Sequence, residues 1–480
     1  MFDLVSRVRQ LIAGDVLRKT LEVHIHDAKS DFPHLGKVEG IKLYCFRSCL
    51  LPGIAFVLGR RDADSALWFE DLQRAGVGAS ETYWIEPEEG VDSLYQAVLS
   101  DRRAVAAIYE VLRAGGKIDL FCSSKGAEVF CEDLKVSILN YSLTVDETPI
   151  EFDRAAHLSN PDRRASMVWN DKLRSREAAV KGKNTRKIYP QHTICRNEQE
   201  LMEAVRVYAM RRNYVVKLDP NAASTEQMHF FRKGVVPDFG EMLASWNPEG
   251  GAIVEGFVPH VPASLTFEIS EGQAIFLYAS LQKLKGIPSG RVITVEDIEA
   301  DDRGGHEGNF VGSYGQDLGD LKWVEIEQAI LFVRPMLRKV IESGYVGRIN
   351  MDLAMLGGGQ VKKLEFNARN SHSTYTAAVQ MAVAGRFVDG HAVVYAGNVD
   401  HVSETITSYA AARAMLERHG LLYRGGAQPG VLLYHAPLLA HGLQKCGIVA
   451  IGHTMLEVQA FAHRATMLLR NSQMSLDLAG

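Results

Sequence analysis

The chain has 480 residues, 46% hydrophobic and 23% charged, with a formal net charge of −5, an ordinary globular composition with room for about three domains. That balance argues against a general nucleic-acid or membrane-surface role, which needs a basic face, and no apolar run approaches the roughly 20 residues of a membrane span. Six cysteines, at positions 45, 49, 122, 131, 195 and 446, complete neither a disulfide framework nor a zinc set, so they read as reduced thiols of a cytoplasmic protein.

The N-terminus, MFDLVSRVRQLIAGDVLRK, is amphipathic and of mixed charge, unlike a signal peptide. Residues 1 to about 150 alternate strand-like and helix-like runs, among them Lys42 to Phe46, Ile54 to Leu58, Tyr95 to Arg113 and Lys117 to Cys122. That alternation implies a parallel sheet covered by helices. Pro52-Gly53 and Gly59-Arg60-Arg61 follow strands and read as structural loops or phosphate loops, without a full nucleotide fingerprint. The polar stretch His157 to Ser166 is the candidate linker, and the basic run Arg163 to Arg186 is either a phosphate-binding surface or a solvated one.

Asn170-Asp171-Lys172 opens a helix-like run to Val180, with Asn170 or Asp171 suited to cap it. Glu198 to Arg212 carries Leu201, Val205 and Tyr208 at helical spacing, and Asn213 to Asp219 (NYVVKLD) reads as a buried strand with one lysine. Burying an ammonium is costly unless it meets an anion, so Lys217 reads as a phosphate ligand; a strand end in solvent is the alternative. The segment from Lys283 to Gly315 is rich in glycine and charge and reads either as a lid, in which Lys283, Arg291 or Arg303 touch phosphate or an acyl substrate, or as disorder.

Residues Arg348 to Arg369 (RINMDLAMLGGGQVKKLEFNAR) carry the most information. A tight turn between Gly358 and Gly359 sets Asp352 opposite Glu365, Asn350 opposite Asn367 and Arg348 opposite Arg369, all on one face. Ile349, Met351, Leu353, Met355, Leu364, Phe366 and Ala368 fall on the other, as core. Opposed carboxylates repel unless a cation lies between them. Asp352, Glu365 and the amide oxygen of Asn367 therefore suggest a magnesium–nucleotide cradle, with manganese as a substitute ion. Arg348 or Arg369 then suits a carboxylate or phosphoryl oxygen. The competing reading is an amphipathic hairpin with a solvated face, and a three-residue loop would break the register.

An acid on one strand, a hairpin, then Glu365-Phe366-Asn367-Ala368-Arg369 resembles the metal-binding end of the ATP-grasp superfamily. The resemblance implies that Lys172 and Lys217 reach the phosphates, although Lys172 beside a capped helix also reads as solvated. It implies that Glu255, in the segment Ala252 to Val258 (AIVEGFV), binds base or ribose, with Phe257 and Val258 supplying backbone and apolar contact. One departure is clear: the loop from Asp219 to His229 (DPNAASTEQMH) has no glycine where the family carries a glycine-rich phosphate loop. Pro429 to Ala436, Cys446 to Gly452 and the helix-like Thr454 to Leu469 extend the likeness to pre-ATP-grasp ligases related to the peptide ligase of pheganomycin biosynthesis.

The layout so implied joins α/β and α+β parts: a pre-ATP-grasp α/β domain over 1–156, an ATP-grasp nucleotide-binding and catalytic domain over 157–400, and a small C-terminal α+β domain over 401–480. The implied reaction is ATP-dependent joining of a carboxylate to an amino acid or peptide amine through an acyl phosphate, releasing ADP and phosphate. Arg369, with Arg348 and Arg291, would serve the acyl phosphate. Asn370, Ser371, His372 and Ser373 either face the acceptor or cap the helix carrying Ala377, Ala378 and Met381. The partners implied are small molecules, with no nucleic acid and no membrane, and a homo-oligomer is left open. The alternatives are an ATP-grasp phosphotransferase and a non-catalytic nucleotide-binding protein.

Overall fold

The computed structural model describes residues 21–33, 40–91, 93–145, 148–180, 188–218, 228–244, 246, 250–284, 292–294, 297, 310–315, 323–356, 360–387 and 392–471. Its contacts divide the mixed α/β chain into unit one, Met1–Arg163 with His372–Gly480, and unit two, Arg164–Ser371. The boundary between Arg163 and Arg164 falls in the polar stretch read as a linker. Arg291, Arg303, most of the proposed lid, the segment 219–227 and the glycines 357–359 lie outside the described residues.

Unit one opens with four parallel strands, β1 (Glu22–Ile25), β2 (Ile54–Leu58), β3 (Glu81–Ile85) and β4 (Lys117–Leu120), in the order β3-β2-β1-β4. Every residue of β2 is buried, as expected of a parallel strand covered on both faces. Among the helices, Ala63–Arg74, Arg102–Arg113 and Lys125–Thr144 begin at side-chain caps from Asp62, Asp101 and Ser124. Lys42–Phe46 falls inside a 3-10 helix, Ile41–Leu50. The Pro52-Gly53 loop is structural: Gly53 has φ 121°, a Cβ there would lie 2.5 Å from the Glu22 carbonyl oxygen, and the Pro52 carbonyl lies 2.8 Å from His24 Nε2.

Unit two carries two strand systems. The first is an antiparallel sheet of β5 (His192–Cys195), β6 (Tyr214–Lys217), β7 (Met228–Phe231) and β8 (Ala252–Gly256), in the order β5-β8-β6-β7. Its core packs Cys195, Val216 and Val254 against Leu201, Val205 and Tyr208 of the helix Glu198–Arg211. The second runs β13-β12-β9-β10-β11 and comprises β9 (Val261–Ser270), β10 (Gln273–Leu284), β11 (Phe310–Gly315), β12 (Gly347–Met355) and β13 (Val361–Asn367), all antiparallel. Past Ser371, unit one resumes with the helix His372–Ala384 and antiparallel strands β14 (Val393–Asp400), β15 (Gly430–Tyr434) and β16 (Lys445–Gly452), then the helix Met455–Arg470. In the helix His372–Ala384, Ala377 and Ala378 are buried but Met381 is exposed. All six cysteines are buried free thiols.

Candidate active site

Strands β12 and β13 pair with Asn350 opposite Asn367, Met351 opposite Phe366 and Asp352 opposite Glu365. Beyond Asp352 a bulge shifts the register, so Leu353 faces Lys363 and not Leu364. The register expected from a turn between Gly358 and Gly359 therefore holds at the carboxylate pair and is lost between that pair and the turn. Leu364, expected in the core, is only half-buried, whereas Ile349, Met351, Leu353, Met355, Phe366 and Ala368 are buried.

Asp352 sits in a dense polar network because β9 supplies its other neighbour, Ser264. Ser264 Oγ donates to Asp352 Oδ1 at 2.6 Å, Gln282 Nε2 at 2.7 Å and Asn350 Nδ2 at 2.9 Å. Asn367 Nδ2 donates to Asp352 Oδ2 at 3.0 Å, and the amide oxygen of Asn367 has no donor among the described residues. Burial, then the charge of Glu365, pushes the Asp352 carboxyl up to about 7. Burial also acts upward on Glu365, but Lys172, Lys217 and Arg369 outweigh it and bring its carboxyl down to about 2. The two acids thus behave as a pair sharing a proton below neutrality, with the negative charge resting on Glu365. Two carboxylates and a free amide oxygen form a hard-oxygen set, and the donors fit magnesium.

The lysines converge on the same region. Lys172 is buried at the start of the helix Lys172–Val180, and its Nζ lies 3.3 Å from Glu365. Asp171 caps that helix, accepting from the N–H groups of Leu173 and Arg174 at 2.8 and 2.9 Å. The cap and the buried lysine are therefore both present. Lys217, also buried, lies 2.5 Å from Glu255 Oε1, and Arg176 Nη2 bonds Glu255 Oε2. Burial acts to raise Glu255, but Arg176 and Lys217 outweigh it and hold the carboxyl below its usual range. Burial in turn lowers Lys217.

Arg176 escaped the sequence reading although a signal was present: it lies four residues after Lys172, hence on the same helical face. It is fully buried, packs over the Tyr189 ring at 4.9 Å and reaches the Leu364 carbonyl at 3.4 Å, while its Nε and Nη1 have no partner among the described residues. A buried guanidinium with idle donors is costly, and a bound anion or base edge would supply the missing acceptors. Lys363, also fully buried, lies 3.4 Å from the Phe366 ring centroid and 2.9 Å from the Tyr189 hydroxyl. The bulge puts it on the Phe366 face, which no side-chain pattern announces.

The remaining expected residues are more scattered. Phe257 and Val258 are half-buried just beyond β8. The Phe257 N–H already donates to the Asn213 carbonyl at 2.9 Å, and the Val258 carbonyl lies 2.6 Å from His260 Nδ1. Arg369 Nη1 donates to Asn170 Oδ1 at 3.1 Å, and Arg348 reaches Glu268 at 3.5 Å and Asn370 Oδ1 at 3.2 Å. Strand β13 ends at Asn367, so the expected pairing of Arg348 with Arg369 is not part of the ladder. Among the described residues, the one set of three His, Cys, Asp or Glu side chains with convergent ligand atoms is His24, His26 and Asp119 in unit one, a cluster absent from the sequence reading. No described helix is long and apolar enough to cross a membrane.

No protein-family model matches the chain, and no curated sequence matches it. Among solved structures it is similar to the N5-carboxyaminoimidazole ribonucleotide synthetase of Thermus thermophilus, at 13% identity and a TM-score of 0.48, over 93% of this chain and 98% of that one. It is similar to an ADP complex of the same kind of synthetase at 11% identity and a TM-score of 0.48, covering 94% and 97%. It is also similar to the L-amino acid ligase of Bacillus licheniformis, at 11% identity and a TM-score of 0.43, covering 93% and 97%. Identities near one residue in ten and TM-scores under 0.5 establish neither a shared fold nor a shared activity, so the functional reading rests on the residues themselves.

Proposed function

We propose that this chain is an ATP-dependent carboxylate–amine ligase of the ATP-grasp type, joining a carboxylate to an amino acid or peptide amine through an acyl phosphate. The division at 156 and 400 into pre-ATP-grasp, grasp and small C-terminal parts belongs to the same proposal. The observation that carries it is buried Asp352 set opposite half-buried Glu365, with Asn367 beside them and Lys172 at 3.3 Å from Glu365. Opposed carboxylates destabilise a fold, and a divalent cation between them reverses that cost.

In this reading Asp352, Glu365 and Asn367 hold magnesium, whose charge screens the transferring phosphoryl group. Lys172 and Lys217 exchange their carboxylate partners for phosphate oxygens. Glu255, released in part from Lys217, turns to the base or ribose, and the idle N–H groups of Arg176 meet acceptors there. Phe257 and Val258 line the purine side. Arg369 and Arg348, with Arg291, orient the acyl phosphate, and the amine then attacks its carbonyl carbon with departure of phosphate. The chain supplies position and charge rather than a nucleophile.

The test is a product assay with purified protein, Mg–ATP and pooled amino acids and short peptides, quantifying ADP, AMP and phosphate with mass spectrometry of the organic fraction. ADP, phosphate and a condensed mass are expected. AMP overturns the acyl-phosphate route. ADP with a stable phosphorylated product and no free phosphate selects a phosphotransferase, and ATP binding without turnover a non-catalytic protein.

A further inference from the structure

Unit one contains an arginine with no counter-ion among the described residues. Arg47, on the 3-10 helix Ile41–Leu50, is half-buried and lies over the ring of Tyr44, 4.3 Å from its centroid. Its one hydrogen bond runs from Nε to His435 Nε2 at 3.0 Å. Of the five N–H donors a guanidinium carries, the other four have no acceptor among the described residues.

The bond to His435 fixes that ring's state. A guanidinium only donates, so Nε2 is the unprotonated nitrogen and the ring proton sits on Nδ1. Burial first, then the charge of Arg47, holds His435 neutral, well below the ordinary histidine value. The same two causes bring His372 down to about 3. His372 Nε2 lies 2.9 Å from the hydroxyl of Tyr434, the neighbour of His435, and that hydroxyl reaches Asn398 Oδ1 at 3.4 Å. His435 is buried with φ 55°, in the left-handed region that a bulky residue seldom occupies. A strained histidine, a neutral hydroxyl network and an unopposed guanidinium thus meet in one place.

We propose that Arg47 and His435 bind a monocarboxylate. The planar fork of Arg47 matches a carboxylate in geometry. The charge also matches: one cation flanked by neutral imidazoles balances a monoanion, whereas a phosphate dianion would leave buried negative charge over. Stacking on Tyr44 leaves the guanidinium edges available for in-plane bonds.

The test uses calorimetry on the full chain with acetate, glycine and inorganic phosphate as probes, for the wild type, Arg47→Lys and Arg47→Met, with Mg–ATP binding and thermal unfolding measured on the same samples. Acetate and glycine are expected to bind the wild type and to bind Arg47→Met about tenfold more weakly or worse, with Arg47→Lys intermediate and ATP affinity unchanged. No carboxylate binding to the wild type, equal binding to the wild type and Arg47→Met, or phosphate binding more tightly than acetate overturns the site. The acetate and glycine titrations read binding in unit one alone and decide the site whatever the product assay returns.

Discussion

Two buried ionic clusters, one in each unit, handle charge in opposite ways. In unit one, Asp119 Oδ2 lies 2.9 Å from His24 Nδ1 and 3.1 Å from His26 Nε2, and the outer ring nitrogens meet the Pro52 carbonyl at 2.8 Å and the Tyr375 hydroxyl at 2.9 Å. His24 donates from both nitrogens and is therefore cationic. Burial alone would lower it, but the bond to Asp119 and that carboxylate's charge raise it overall. This cluster is closed: each ring nitrogen has its partner. The unit two cluster is open, with two carboxylates abutting, an amide oxygen without a donor and Arg176 with two idle nitrogens. Closed clusters hold a fold together, whereas open ones carry a demand that a ligand meets.

The sharpest way to break that contrast is to remove charge from the open cluster. Glu365→Gln is isosteric and opens no cavity, so the fold should persist while Mg–ATP turnover falls by about a thousandfold or more, read as ADP release beside a thermal melt. Retained turnover would return the hairpin to a solvated amphipathic ribbon. Lys217→Met should weaken ATP binding by about tenfold or more in calorimetry. An unchanged affinity would leave Lys217 as nothing more than the partner of Glu255.

A third test sets the two clusters side by side. Asp119→Asn strands a buried histidine cation and should cost about 3 kcal/mol in chemical denaturation. Asp352→Asn, in metal-free buffer at pH 8, relieves like-charge repulsion and should cost far less or stabilise. Equal losses from both would erase the distinction between closed and open.

The smallest effect is the most diagnostic of sign. The Asp352 carboxyl is raised to about 7 by burial and by Glu365, so its contribution to metal-free stability is fully present below its unfolded pKa near 4 and is lost as pH rises through 7. Magnesium needs both acids ionised, so its affinity should fall about tenfold per pH unit below 7 and level off above. Magnesium should then raise the melting temperature more at pH 8 than at pH 6. A flat or reversed dependence would detach the metal from this pair.

The alternation of residues across a hairpin was enough to pair Asp352 with Glu365 and Asn350 with Asn367, because side-chain period 2 leaves few registers. The buried lysine of β6 and the alternation of strands and helices before residue 150 were legible for similar reasons, since burial and periodicity are written in residue type. The bulge past Asp352 was not, because it is a backbone event that leaves the polar pattern on one side of it intact. Lys363 went unassigned for that reason. Arg176 was legible as the fourth residue after Lys172 and went unread because a lone arginine on a helix is ordinarily solvated. The Arg47–His435 contact joins positions 388 apart in sequence, and no local pattern encodes it.

The central claim is that a carboxylate is activated by phosphoryl transfer, and oxygen labelling tests it most directly. Amino acids and short peptides enriched with oxygen-18 in their carboxyl groups would be turned over with Mg–ATP, and the released phosphate analysed by mass spectrometry. One labelled oxygen in each phosphate is the predicted result, because the acyl-phosphate bridge oxygen comes from the carboxylate and leaves with phosphorus. Unlabelled phosphate accompanying a condensed product would contradict the account.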